Sequence, residues 1–209
     1  MSQTHTLEPE DEARANIYGM LAELFIAPPS AGLLGQLAAQ ANTAASKAGS
    51  EGNAPSAFTQ AWQELAQQCA QLSHAQITEE YEQLFFSTGR PEIFLNASIY
   101  LTGFLNEYPL ANLRRELQRL GLERSTASTE TEDHIAVLCN VMQHLILDGQ
   151  GLGLQAEFLH AHIGNWSDNL CAAININASS NFYTRVSALL HAFISMERET
   201  LPGQSTASG

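Results

Sequence analysis

The chain has 209 residues, of which 44% are hydrophobic and 15% charged, a composition that is ordinary for a globular protein and excludes a disordered one. Nine basic residues face 22 acidic ones, so the net charge is −13 and phosphate-rich partners, namely nucleic acid and anionic lipid, are not expected. Such a surface attracts cationic partners, although a need for solubility alone also accounts for it.

The sequence shows no sign of membrane insertion or of a metal site. No apolar run approaches the roughly 18 residues that a membrane helix needs, so no integral membrane segment is expected. The first residues are acidic and lack Lys and Arg, unlike a secretory signal, which predicts a cytoplasmic location. Cys69, Cys139 and Cys171 are widely spaced and form no Cys-x-x-Cys pair, which predicts buried, reduced thiols and no bound metal.

Helical periodicity begins near the N-terminus. A first predicted helix lies between Pro9 and Pro28, with an inward face made of Ile17, Met20, Leu21, Leu24 and Phe25. Further helices are predicted over residues 33–41 and 58–72, separated by a flexible loop over 42–56. Ser73-x-x-Gln76 has the form of a capping box and opens a fourth helix.

The helical pattern continues through the second half of the chain. Thr129-x-x-Glu132 is a second capping-box pattern, and Gly121 is expected to end the helix before it. The predicted elements are an irregular segment over 87–97, helices over 98–106, 110–120, 132–149, 154–166 and 182–193, and a disordered tail over 202–209. About nine helices and no alternating strand pattern predict an all-α bundle forming a single domain over residues 1–201.

The acidic cluster from Glu130 to His134 carries the strongest chemical signal. Carboxylates in a first helical turn are favoured by the helix dipole and by free amides, which accounts for Glu132 and Asp133 without any function. An acid–base pair of Asp133 and His134 is the alternative, but neighbouring helical residues point about 100° apart. No nucleophile motif or phosphate-binding loop accompanies them.

Two other groups invite a functional interpretation. His160 and His162 lie on opposite sides of a helix, which makes a poor metal clamp, and His162 is expected to be a hydrogen-bonded core histidine. Phe85 and Phe86 follow Tyr81 and Leu84, and consecutive helical residues cannot both face inward. Leu84 and one phenylalanine are expected in the core, whereas the other is expected to line a groove.

These clusters together resemble the TorD/DmsD family of redox-enzyme maturation chaperones. The resemblance covers residues 80–199, and many members have proline where this chain has Thr131, so the loop entering the helix lacks the stiffness of a proline ring. The matching motifs are Glu130-x-x-Asp133-His134, Tyr81-x-x-Leu84-Phe85, Ser98-x-Tyr100-Leu101, Phe158-Leu159-x-x-His162 followed by Trp166, and Phe182-Tyr183.

The resemblance implies an all-helical chaperone that binds the twin-arginine signal peptide of a molybdenum-cofactor oxidoreductase precursor. Such a chaperone delays export until the cofactor is inserted. The state is a monomer or a domain-swapped dimer, no cofactor is required, and weak guanine-nucleotide binding is associated with the family. The signal-peptide-binding residues that the resemblance implies are Glu130, Asp133, His134, Tyr81, Leu84, Phe85, Phe94, Ser98 and Tyr100.

Two other functions stay open at this point. A stable assembly subunit of an oxidoreductase complex would use the same face to hold a folded partner. A nucleotide hydrolase would use Asp133 and His134, although the missing phosphate-binding loop argues against it.

Overall fold

A computed structural model describes residues 7–48, 55–86, 90–123 and 130–202 of the chain. Within these ranges the backbone forms α-helices and no strand beyond one isolated antiparallel bridge between Asn96 and His134, which confirms the predicted all-α fold. No helix in them is long and apolar enough to cross a membrane. The helices are α1 (Pro9–Ile26), α2 (Ala31–Ala48), α3 (Ala57–Gln71), α4 (His74–Phe85), α5 (Ala97–Thr102), α6 (Tyr108–Arg119), α7 (Ile135–Leu147), α8 (Leu152–His162), α9 (Ser167–Ile176) and α10 (Phe182–Thr200).

Two compact units are distinguished by their internal packing. The first, called unit 1, contains the chain up to Ile26, Leu95–Ser167, and the chain from Glu197 onward. The second, called unit 2, contains Ala27–Phe94 and Asp168–Met196. The single domain over residues 1–201 stays a prediction, and residues 203–209 of the predicted tail lie outside the described residues.

Unit 1 is built on α1, which lies along α7. Helix α7 also packs on α8, and α5 packs on α6.

A buried charge network joins the first helix of unit 1 to the last segment of this unit. The Arg14 guanidinium donates to both carboxylate oxygens of Glu197 at 2.7 and 2.9 Å and to Gln155 Oε1 at 2.9 Å. The Tyr18 hydroxyl donates to the same Glu197 carboxylate at 3.0 Å. The network therefore ties the first helix to the last one.

Unit 2 contains α2 packed on α3, together with α4, α9 and most of α10. The start of α10 is held by a carboxylate from α4, far away in sequence. Glu80 accepts hydrogen bonds from the backbone amides of Asn181, Phe182 and Tyr183 at 2.8–2.9 Å. These amides have no partner within the helix, so a negative charge at this position stabilises α10.

Several local signals are confirmed. The Ser73–Gln76 capping box is complete, with both reciprocal hydrogen bonds in place. Gly121 ends α6 with φ at 72°, and its amide and that of Leu122 bond back to Gln118 and Leu117 in a Schellman motif.

Other predicted boundaries are wrong. Helix α2 continues to Ala48 where a loop was expected from Asn42, because the alanines there favour helix. The α8 helix ends at His162, and a separate helix, α9, follows it. Trp166 lies in the turn between them, where its indole N–H donates to the His162 carbonyl at 2.7 Å.

The predicted inward face of α1 is also partly wrong. Ala15 and Tyr18 are fully buried, whereas Ile17 and Met20 are only half-buried. The Tyr18 ring reaches the core because its hydroxyl finds the buried Glu197 carboxylate as a partner.

Candidate functional site

The carboxylate of Asp133 holds together two loops of unit 1. One of its oxygens accepts hydrogen bonds from the Ser98 amide at 3.0 Å and from the Ser98 hydroxyl at 2.5 Å. The other accepts from the Thr131 hydroxyl at 2.6 Å and, more weakly, from the Asn96 side-chain amide at 3.4 Å. Asp133 is only 2% exposed. Its carboxylate is therefore already occupied by four donors.

These hydrogen bonds also set the charge state of Asp133. Burial acts to raise the pKa of this carboxyl, but the hydrogen bonds from Ser98, Thr131 and Asn96 outweigh it. The pKa therefore lies below its ordinary value, and the group is a carboxylate at neutral pH.

Backbone hydrogen bonds also join the two segments that contain Ser98 and Asp133. The Ala97 amide donates to the Asp133 carbonyl at 2.9 Å, and the Ile135 amide donates to the Leu95 carbonyl at 2.8 Å. The two segments thus run antiparallel for a few residues around the bridge between Asn96 and His134. We call residues 95–98 and 131–135 the brace.

His134 is the N-cap of α7. Its Nδ1 accepts the Ala136 amide at 3.2 Å, a role that requires an unprotonated nitrogen. Burial lowers the pKa of His134 to about 4, against the opposing effect of Asp133, so the ring is neutral at physiological pH. The helix begins after His134, so the expectation that Glu132 and Asp133 occupy its first turn is wrong. Thr129, the start of the predicted capping box, lies outside the described residues.

The two remaining acidic residues of the cluster differ. The Arg114 guanidinium donates to both carboxylate oxygens of Glu132, from Nε at 3.0 Å and from Nη2 at 2.8 Å. Glu130 is half-buried, and no partner for it occurs among the described residues. Of the motif's carboxylates, Glu130 alone is therefore both accessible and uncompensated within the described part of the chain.

The predicted aromatic group belongs to unit 2. Leu84 is fully buried and Tyr81 nearly so, which confirms the core position expected for Leu84. Phe85 is half-buried and packs edge-on against Tyr183 at a ring-centroid distance of 4.8 Å, whereas Phe86 is 78% exposed. Phe85 and Phe86 therefore diverge as predicted, but Phe85 is half-buried rather than in the core, and Phe86 faces outward. The groove stays a prediction.

The other predicted residues are divided between the units. Phe94, half-buried in unit 2, lies under the Arg90 guanidinium at 5.2 Å from its ring centroid. In unit 1, Ser98 is fully buried against Asp133, and Tyr100 stacks on Trp166 with centroids 5.4 Å apart. The structure thus groups Ser98, Asp133 and His134 in one unit and Tyr81, Leu84 and Phe85 in the other.

A cavity of about 360 Å³ opens beside the brace, within unit 1. Its volume falls at the lower end of the range for small-ligand pockets. Its lining is mainly apolar, with two carboxylates, one imidazole and one phenol as its ionisable groups and no Lys or Arg among the described lining residues. We call it the α6–α8 cleft, and it is lined by Ala97, Leu101, Tyr108, Pro109, Asn112, Leu113, Glu116, Asp133, Leu138, Ala161, His162 and Asn165.

Three large apolar side chains stand exposed in the segment that leads into α6. Phe104 is 69% exposed and Tyr108 63%, with Leu105 between them. Tyr108 also lines the cleft. Sequence reasoning missed this apolar lip because it assigned Phe104 and Leu105 to a helix over 98–106, whereas α5 ends at Thr102. Exposed apolar clusters of this kind mark binding surfaces.

Sequence reasoning also missed the hydrogen-bonded pair of Glu116 and His162 inside the cleft. His162 Nε2 lies 2.7 Å from Glu116 Oε2, which gives this histidine the hydrogen bond expected of a core residue. The side chain of His162 is 10% exposed and that of Glu116 is 21% exposed. Among the described residues, no group of His, Cys, Asp and Glu side chains is arranged to hold a metal ion.

Comparison with known proteins assigns more than half of the chain to one family. The family model described as nitrate reductase delta subunit matches residues 51–172. The chain is 24% identical to the chaperone protein TorD of Shewanella pealeana, over 97% of this chain and 96% of that protein. It is likewise 24% identical to TorD of Shewanella piezotolerans, over 97% and 98% of the two chains.

The fold is similar to that of a solved structure. A protein of Archaeoglobus fulgidus, proposed to be a redox enzyme maturation protein, superposes with a TM-score of 0.52 at 14% identity. The match covers 95% of this chain and 98% of the archaeal one. At this level of identity the match supports the all-helical fold alone.

Proposed function

This chain belongs to the TorD/DmsD family of redox-enzyme maturation chaperones, which the nitrate reductase delta subunit model describes, and we propose that it binds the twin-arginine signal peptide of a molybdenum-cofactor oxidoreductase precursor. Its relatives are named chaperones, and the chain is a chaperone rather than an enzyme. The proposed role is cytoplasmic: the chaperone holds the precursor back from export until the cofactor is in place.

The observation that carries the proposal is the α6–α8 cleft with its apolar lip. A signal peptide combines an apolar segment with arginines. The lip offers Phe104 and Tyr108 to the apolar segment, and the cleft offers one accessible carboxylate without competing Lys or Arg among its described lining residues. Peptide recognition of this kind uses apolar anchors for affinity and charged groups for orientation.

The buried residues of the family motif stabilise one wall of the cleft. Asp133 and Ser98 are too buried to be the main peptide contacts, but their hydrogen bonds fix the start of α5, and α5 forms one wall of the cleft through Ala97 and Leu101. We therefore propose that Asp133 positions the cleft. Glu130, which is accessible, is the member of the motif proposed to meet the peptide directly.

Titration of a synthetic twin-arginine signal peptide into the purified protein tests the proposal. Binding should weaken as salt increases, because the attraction between an acidic surface and arginines is screened within about 8 Å at physiological ionic strength. Phe104→Ser and Tyr108→Ser should each weaken binding with little change in stability, since both side chains are largely exposed. Ile176→Ser, which removes an 85%-exposed apolar side chain at the end of α9 in unit 2, is the control. Equal losses in all three variants would contradict the cleft as the binding site.

A further inference from the structure

The two carboxylates of the α6–α8 cleft differ in what they can still bind. Asp133 is 2% exposed and already accepts four hydrogen bonds. Glu116 is more accessible, with 21% of its side chain exposed. Any cation entering the cleft therefore meets a free acceptor on Glu116 before one on Asp133.

Glu116 has two neighbours that leave part of its carboxylate open. His162 Nε2 lies 2.7 Å from Oε2, and the Arg119 guanidinium lies 3.5 Å from Oε1. The Arg119 contact is long, and its side chain is 63% exposed, so it contributes little. A carboxylate offers about four lone-pair sites, and His162 occupies one of them. The remaining sites are sufficient for the parallel fork of a guanidinium.

The surrounding helix face suits the rest of an arginine side chain. Tyr108, Asn112 and Glu116 follow each other at intervals of four residues along α6, so they form one stripe of its surface. The stripe runs from the exposed Tyr108 ring at the lip to the half-buried Glu116 inside. An aromatic face attracts a guanidinium, and an arginine stem packs well on apolar surface.

His162 holds the Glu116 carboxylate in place. Its ring packs on the Phe158 ring with centroids 4.9 Å apart, and its side chain is only 10% exposed. The imidazole thus has little freedom to rotate, and an acceptor that is oriented beforehand loses less entropy when a ligand binds.

We infer that Glu116, oriented by His162, is the receptor for an arginine side chain of the bound peptide. This inference rests on the proposed function and names the group that reads the arginine. Glu116 lies outside the family motif that contains Asp133, so the motif alone did not predict this contact.

A double-mutant cycle tests the inference. Glu116→Gln keeps the shape and the acceptor oxygen for His162 but removes the charge. It is combined with synthetic twin-arginine peptides in which each arginine in turn is replaced by glutamine. Glu116→Gln should weaken binding of the parent peptide roughly 10- to 100-fold. It should have little further effect on the peptide that lacks the relevant arginine.

Two controls separate the role of Glu116 from general charge and from folding. Glu12→Gln removes one negative charge from an exposed position on α1 that does not line the cleft, and it should change affinity by less than about threefold. On the unmodified protein, a peptide with lysine in place of the arginine should bind more weakly, because lysine lacks the bidentate fork. This comparison of peptides uses the unmodified protein, so it can be made even if Glu116→Gln fails to fold.

The outcomes distinguish the two proposals. If the parent peptide fails to bind the unmodified protein, the proposed function is wrong. If it binds, but Glu116→Gln and Glu12→Gln behave alike with both peptides, the assignment of Glu116 is wrong and the proposed function stands. Equal affinity for the arginine and lysine peptides also overturns the assignment.

Discussion

Replacing Asp133 with alanine should destabilise the fold of unit 1. Ser98 is fully buried, and in the variant both its amide and its hydroxyl lose their acceptor. Hydrogen bonds to a charged group contribute about 1.5–3 kcal/mol each, so these two bonds alone give about 3–6 kcal/mol. Thr131 is half-buried, so in the variant its hydroxyl can bond to water and loses less free energy than the groups of Ser98. The expected loss is a large share of the roughly 5–15 kcal/mol that stabilises a typical protein.

Urea unfolding followed by circular dichroism measures the loss, and thermal unfolding provides a second reading. For a chain of this length each kcal/mol lowers Tm by roughly 2–4 °C, so Tm should fall by roughly 6–24 °C. Asp133→Asn keeps one acceptor oxygen and should lie between the alanine variant and the parent. As a control, Glu130→Gln alters a half-buried residue three positions earlier in the chain and should change stability by no more than about 0.5 kcal/mol.

An Asp133→Ala variant that unfolds at the same urea concentration as the parent yet loses peptide affinity would contradict a structural role for Asp133. That result would mean that the carboxylate faces the ligand and that its four hydrogen bonds contribute nothing to stability. A loss of stability with an intact affinity in the folded fraction would support the brace.

Three further predictions concern buried charges and pH. Glu80→Ala should destabilise by about 3–6 kcal/mol, because the buried amides of Phe182 and Tyr183 lose a charged acceptor while the exposed Asn181 can turn to water; the exposed neighbour Glu79 should tolerate alanine. Glu197→Gln leaves the Arg14 guanidinium buried without a charged partner and should destabilise the fold by about 3–5 kcal/mol. The double variant Glu197→Leu with Arg14→Met should lose less stability than either single change, because neither charge is then left buried alone. His134 has a folded pKa of about 4 against roughly 6.5 when unfolded, so the unfolded chain binds the extra proton first and stability should fall between pH 6.5 and 4. In His134→Asn, which keeps a capping side chain, urea midpoints across this range should depend less on pH.

The features that the sequence predicted well depend on neighbours within a few residues. The capping box of Ser73 and Gln76 and the glycine that ends α6 are complete within one helical turn. Such local patterns form where no distant partner competes for their side chains. The Thr129-x-x-Glu132 pattern misled for the opposite reason: Glu132 is engaged by Arg114, eighteen positions earlier in the chain, and α7 begins only at Ile135.

The site was predicted only in outline because its decisive contacts are distant in sequence. The motif identified Asp133 and Ser98 as belonging together, but spacing along the chain does not reveal that each satisfies the other inside the protein. The Glu116–His162 pair joins residues 46 positions apart. No local pattern marks Glu116 as different from any exposed helical glutamate. Its position in a cleft emerges only when α6 and α8 pack.

The most direct test of the account compares two forms of one molybdenum-cofactor oxidoreductase precursor. One form carries its twin-arginine signal peptide and the other lacks it, and the affinity of each for the purified chaperone is measured by titration at low salt. We expect the complete precursor to bind and removal of the signal peptide to abolish most of the affinity. Equal, tight and stoichiometric binding of both forms would contradict it and would indicate a stable assembly subunit instead.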